Sequence, residues 1–113
     1  MGPGEVVNAL SALAQEHRLA VFRMLVQAGE DGMAAGAIAE KLGVPNSSMS
    51  FHLAQLMRAG LISQERRHRS LIYRADYAAM NELLGYLVEN CCAGAECEVP
   101  ACTDVAALER KSA

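Results

Sequence analysis

Residues 33–61 read MAAGAIAEKLGVPNSSMSFHLAQLMRAGL, and this stretch decides the fold because its apolar spacing describes two short helices joined by a sharp turn. Ile38, Ala39 and Leu42 recur at helical spacing. Gly43 is free to take the left-handed conformation that ends a helix, and Pro45 presets the backbone just before the next one. This is the punctuation of a helix-turn-helix. In the second helix Met49, Leu53, Leu56, Met57 and Gly60 share one side, whereas Ser47, Ser48, Phe51, Gln55 and Arg58 gather on the other. The first face packs. The second is hydroxyl-rich and mostly short in side chain, which suits approach to phosphates and base edges in a major groove.

C-terminal to this unit the pattern turns extended. Residues 61–66 (LISQER) and 70–74 (SLIYR) flank a polar tip at Arg67-His68-Arg69, the signature of a β-hairpin with no turn glycine and no evident turn type. Asp76 then suits the N-cap of a last helix reaching about Cys92, whose Met80, Leu83, Leu84, Leu87, Val88 and Cys91 form an apolar stripe. N-terminal to the unit, residues 5–15 carry Val6, Leu10, Leu13 and Ala14 at helical spacing. A second helix follows with Leu19, Phe22, Leu25 and Val26, closed by Gly29-Glu30-Asp31-Gly32. The expected architecture is mainly α with a β-hairpin wing, in the order α-α-α-α-β-β-α. One small core leaves the last apolar stripe poorly covered, so a homodimer through the first and last helices is expected.

Composition narrows the function. A chain of 113 residues with 52% hydrophobic residues and no membrane-length apolar run is expected to be one globular domain. Residues 1–4 are too short and too poor in charge for a signal peptide, so a cytoplasmic place is expected, and with it reduced thiols. The net charge of −3 looks wrong for a nucleic-acid binder until it is divided. Residues 46–75 hold Arg58, Arg66, Arg67, Arg69 and Arg74 against Glu65 alone, a local +4, while residues 76–113 carry −5. A basic stripe on an acidic protein gives moderate phosphate attraction without a general pull onto any DNA. No phosphate-cradling glycine loop, paired carboxylates or nucleophile-and-base set points to an enzyme, and no catalytic cofactor is expected.

Residues 12–25 (ALAQEHRLAVFRML), 38–62 (IAEKLGVPNSSMSFHLAQLMRAGLI) and 65–75 (ERRHRSLIYRA) together resemble the ArsR/SmtB family of metalloregulatory winged-helix repressors. The resemblance covers about residues 9–92. It implies dimers that occupy an operator overlapping the promoter and leave it when an inducer binds. Two sensing sites of that family have no counterpart: the third helix has no cysteine, and the last helix lacks the Asp and His pairs of the zinc-sensing members. Asn90-Cys91-Cys92, followed by Cys97 and Cys102, is similar instead to the arsenic-responsive branch. There a vicinal pair joins a third nearby cysteine, which here would be Cys97 or Cys102.

The thiol chemistry can be argued on its own terms. Soft thiolates select thiophilic ions, and trivalent arsenic or antimony takes three sulfurs in a pyramid. Adjacent cysteines sit about 3.8 Å apart at Cα, below the usual disulfide range, so they stay available as chelating thiols. On a helix their side chains diverge by about 100°, so both reach one ion only if the last turn unwinds. Other occupants fit the same residues. Cys91, Cys92, Cys97 and Cys102 would make four zinc ligands; cadmium, lead or a thiol redox switch are open; and Cys91 with Cys92 alone would suit a methylated arsenical.

The sequence therefore predicts a cytoplasmic homodimeric repressor that releases operator DNA on binding As(III) or Sb(III), with no membrane partner. Ser47, Ser48, Phe51, His52 and Gln55 are expected at the groove, with Phe51 outward unless the register is off by one, and His52 equally suited to packing or to bonding a phosphate. Arg66, Arg67 and Arg69 are expected on the phosphate backbone. Residues 1–92 would form the DNA-binding and dimerisation domain and residues 93–113 a flexible tail. The competing class is a partner-binding module that uses the same helices without DNA.

Overall fold

The computed structural model describes residues 1–94. Helix α1 spans Pro3–Leu13 and α2 Glu16–Ala28. The first helix starts and ends two residues before its expected bounds, for a capping reason. Pro3 is suited to an opening turn whose N–H groups lack intrahelical partners. Gln15 is taken as the N-cap of α2, where its side chain accepts a 3.0 Å hydrogen bond from the Arg18 backbone N–H. Arg18 Nε in turn donates to the Ala12 carbonyl at 2.6 Å, satisfying one of the acceptors left open at the end of α1.

A 3₁₀ turn at Gly29–Asp31 leads into a two-residue strand, β1 (Met33–Ala34), and only then does α3 run from Ala35–Leu42. The expectation that Met33 and Ala34 are helical is corrected here. They pair antiparallel with the hairpin, Met33 opposite Tyr73 and Ala34 opposite Ile72. The hairpin itself is β2 (Ile62–Arg67) and β3 (Ser70–Ala75), so the sheet is three-stranded in the order β1-β3-β2. Pairing runs from Ile62 opposite Ala75 to Arg67 opposite Ser70, which leaves a two-residue tip in which His68 adopts a φ of 58°.

The turn before α4 (Asn46–Arg58) forms as its residues dictate. Gly43 is left-handed at φ 66° and ψ 32°, Val44 N–H bonds back to Ala39 O at 3.0 Å, and the buried Val44 side chain plugs the angle between the helices. Leu25 of α2, Ile38 of α3, Met49, Leu53 and Leu56 of α4, and Leu61 meet in the core with almost no exposure. That common core fixes how α4 sits against the sheet.

Asp76 caps α5 (Tyr77–Val88) by accepting from Ala79 N–H at 3.0 Å, and Tyr77 Oη donates to Val26 O at 2.8 Å, tying α5 to α2. The helix was expected to reach Cys92; it stops four residues earlier. Glu89 leaves the helix with ψ 127°, Asn90 takes φ 56°, and a turn with left-handed backbone at Cys92 and Ala93 follows. Asparagine tolerates the left-handed conformation of a helix terminus, a stop signal that an apolar stripe running through Cys91 conceals.

Candidate nucleic-acid interface

Helix α4 presents its outward face through its first turns. Ser47, Ser48, Ser50 and Phe51 are exposed, and Ser50 Oγ donates back to Asn46 O at 3.0 Å. Phe51 is 57% exposed, so it lies outward as expected and not in the core. His52 takes the packing role and not the groove position. At 9% exposure it is the buried polar residue of the core, because the position beside Leu53 turns toward α2. Its ring lies 5.6 Å from that of His17 and edge-on to Phe51 at 6.0 Å. Burial, reinforced by the Arg18 and His17 charges, holds its imidazole below the ordinary histidine range. Nδ1 has no hydrogen-bond partner among the described residues. His52 therefore does not stand with the residues offered for groove contact.

Gln55 is half-buried one turn on, and it lines a cleft of about 320 Å³ with Asn8, Ser11, Arg18 and Arg58. The structure thus groups Ser47, Ser48 and Phe51 at the N-terminal part of α4 and sets Gln55 apart, toward α1.

The wing brings its cations together at one end. Arg66, Arg67 and Arg69 are all exposed. Glu65 bridges Arg74 at 2.6 Å and Arg67 at 3.8 Å. The Arg67 pair is half exposed on both sides and contributes little. Arg74 is different: it is mostly shielded, and its Nε also donates to Glu30 O, so it pins the wing to the 3₁₀ turn that follows α2. Among the described residues Arg66 and Arg69 make no ion pair, which leaves their charge for a partner.

Two of the four thiols fall among the described residues. Cys91 is half-buried and Cys92 exposed, both in the turn beyond α5, where Cys92 and Ala93 have φ near 59° and 54°. Cys97 and Cys102 lie outside the described residues, and among the described ones no group of three or more His, Cys, Asp or Glu could hold a metal ion. The pair is thus already off the helix, so the expected unwinding of a last α-helical turn has no helix to act on. Exposed apolar side chains also remain on α1, at Val7 and Leu10, and on α5, at Tyr86 and Leu87. No helix among the described residues is long and apolar enough to cross a membrane.

Residues 13–65 match the family model described as a helix-turn-helix domain. The chain is similar to the nodulation protein NolR of Rhizobium meliloti, with 36% identity over 78 residues, 69% of this chain and 62% of NolR. The match thus spans less than two thirds of that relative's length. It is also similar to the transcriptional activator HlyU of Vibrio cholerae, with 31% identity over 71% of this chain and 74% of HlyU. The solved HlyU structure agrees at a TM-score of 0.61 over 74% of this chain and 91% of that one. A homodimeric winged helix-turn-helix DNA-binding domain from Mycobacterium bovis, a possible ArsR-family regulator, shares the fold at a TM-score of 0.61 and 24% identity, over 85% and 89% of the two chains. These relatives are regulators, not enzymes, and the chain belongs with them to the winged helix-turn-helix transcriptional regulators.

Proposed function

We propose that the protein is a homodimeric repressor that holds operator DNA with α4 and the wing and releases it when As(III) or Sb(III) is bound by cysteine thiolates. The observation that carries the DNA half is the exposed Ser47, Ser48 and Phe51 face of α4, together with a wing whose Arg66 and Arg69 lack ion pairs among the described residues. Serine hydroxyls and the aromatic edge go to the groove, and the wing arginines go to phosphates. Val7, Leu10, Tyr86 and Leu87 cover one another across the dimer axis, in keeping with the homodimeric state of the Mycobacterium bovis domain.

The sensing half rests on the adjacent thiols. Cys91 and Cys92 sit in a turn with left-handed backbone at Asn90, Cys92 and Ala93, a conformation costing about 1–2 kcal/mol for a residue with a Cβ. Ligation re-forms that turn, with Cys97 or Cys102 brought in from residues 93–113 as third ligand. The turn directly follows the α5 face proposed for the dimer, so re-forming it changes the spacing of the two reading helices. A coupling of about 3 kcal/mol between ligand and DNA lowers operator affinity more than a hundredfold.

The test is operator binding by fluorescence anisotropy during titration with arsenite, antimonite, methylarsenite and zinc. It uses the native protein and single Ser replacements of Cys91, Cys92, Cys97 and Cys102. Release by arsenite that needs Cys91, Cys92 and one further cysteine is the expected result. Release by zinc alone, or arsenite release that survives loss of both Cys91 and Cys92, refutes the sensor. Failure to retard any promoter fragment at low salt refutes the repressor and leaves a partner-binding module.

A further inference from the structure

The first turns of the outward face of α4 lack the cationic side chains that usually read guanine. From its start to Ala54, the exposed residues are Asn46, Ser47, Ser48, Ser50, Phe51 and Ala54. No Arg or Lys stands among them to grip guanine through O6 and N7. Arg58 comes only at the last position of the helix and faces the cleft shared with α1, as does Gln55. Phe51 is the longest of the exposed groups in those turns: Ser47, Ser48 and Ala54, a turn away on its face, are short, and Gln55, the remaining neighbour, is half-buried in the cleft toward α1. A ring with short neighbours on a convex helix is the first group to meet the floor of a groove.

A phenyl ring has no hydrogen-bonding group, and 57% of this residue is left in water. The structure also supports the ring from behind. It stands edge-on to His52 at an angle of 65°, and His52 is itself buried against His17. Burial on DNA is favourable only against an apolar patch, and the major groove offers one such group on its floor, the methyl at C5 of thymine.

We propose that Phe51 is a specificity-determining residue that selects a T·A pair in each operator half-site by covering the thymine C5-methyl group. The inference rests on α4 entering the major groove. It goes further by naming the chemical group read and the side chain that reads it. Affinity at that position follows the methyl and is indifferent to the base-pair hydrogen bonds beneath it.

The experiment uses the full chain and a duplex chosen by selection from random sequence. Each thymine of one half-site is replaced in turn by deoxyuridine, which removes the methyl and nothing else. Native protein should lose about fourfold in affinity at one or two of those positions, the value of one buried carbon, and be unaffected at the rest. Phe51→Ala, whose exposed site leaves the core intact, should bind the thymine and uridine duplexes equally. At the sensitive position, 5-methylcytosine should be bound about fourfold more tightly than cytosine by the native protein only. Absence of any thymine-over-uridine preference in a protein that does bind the duplex overturns the role of Phe51 alone. Persistence of the preference in Phe51→Ala overturns it equally. A native protein that selects no duplex at low salt overturns the groove reading and this inference with it.

Discussion

Gly32 and Gly36 lie four residues apart and should respond to the same substitution with opposite signs. Gly32 holds a φ of 64° just before β1. A Cβ there would be driven into the Tyr73 carbonyl oxygen and would lie 2.9 Å from both Arg74 Cγ and Ile72 Cγ2. With its ψ of −162°, this backbone lies in a region that essentially only glycine occupies, and it costs a residue with a Cβ about 1–3 kcal/mol. The overlap is with backbone, so it is relieved only by moving β1 off β3, and each ladder hydrogen bond lost removes about 1 kcal/mol more. Gly32→Ala should therefore cost about 2–4 kcal/mol, a large share of the roughly 5–15 kcal/mol typical of a domain. At Gly36, inside α3, an added Cβ meets nothing within 4 Å, and alanine should stabilise by about 0.5–1 kcal/mol. Urea unfolding at one fixed chain concentration checks both, since the proposed dimerisation would make stability concentration-dependent. With a slope of about 1–3 kcal/mol per molar, the Gly32→Ala midpoint should fall by roughly 1–2 M while that of Gly36→Ala rises slightly. A Gly32→Ala midpoint within about 0.3 M of the parent would mean that the sheet absorbs the methyl, and would refute the claim that β1 is held tightly against β3.

His52 is held below its ordinary pKa, so the unfolded chain takes up its proton first as pH falls below about 6.5. This residue's share of stability is fully present above that pH and declines below it, until the folded-state pKa is passed. Unfolding free energies at pH 7.5 and 5.5 should differ less in His52→Leu than in the parent, and equal differences would rule out the burial argument. Arg69→Ala should lower the slope of log affinity against log salt by about one and weaken all duplexes alike; an unchanged slope removes Arg69 from the interface. Leu87→Asp, at a 55% exposed site, should leave the fold intact and shift the protein to monomer in sedimentation. A variant that stays dimeric would place the contact elsewhere than the exposed face of α5.

Most of the fold was legible from local rules. Helical spacing of Ile38, Ala39 and Leu42, the left-handed Gly43, Pro45 before α4, the Asp76 cap and the two extended runs of the wing each act within a few residues. They needed no knowledge of what lies across the core. The sidedness of α4 was legible for the same reason at Met49, Phe51 and Leu53.

Tertiary structure decided the rest. Met33 and Ala34 carry no strand signal of their own and became β1 because the edge of β3, forty residues downstream, was open to pair with them. His52 belongs by composition to a polar face. It was drawn inward because the wall of the core next to it is α2, with His17 in reach. The end of α5 was set by the left-handed turn at Asn90 while the apolar stripe ran on, which put Cys91 and Cys92 beyond the helix. Periodicity reports which face of an element is apolar. Which neighbour covers that face, and where a pairing partner waits, are long-range facts that only the folded chain contains.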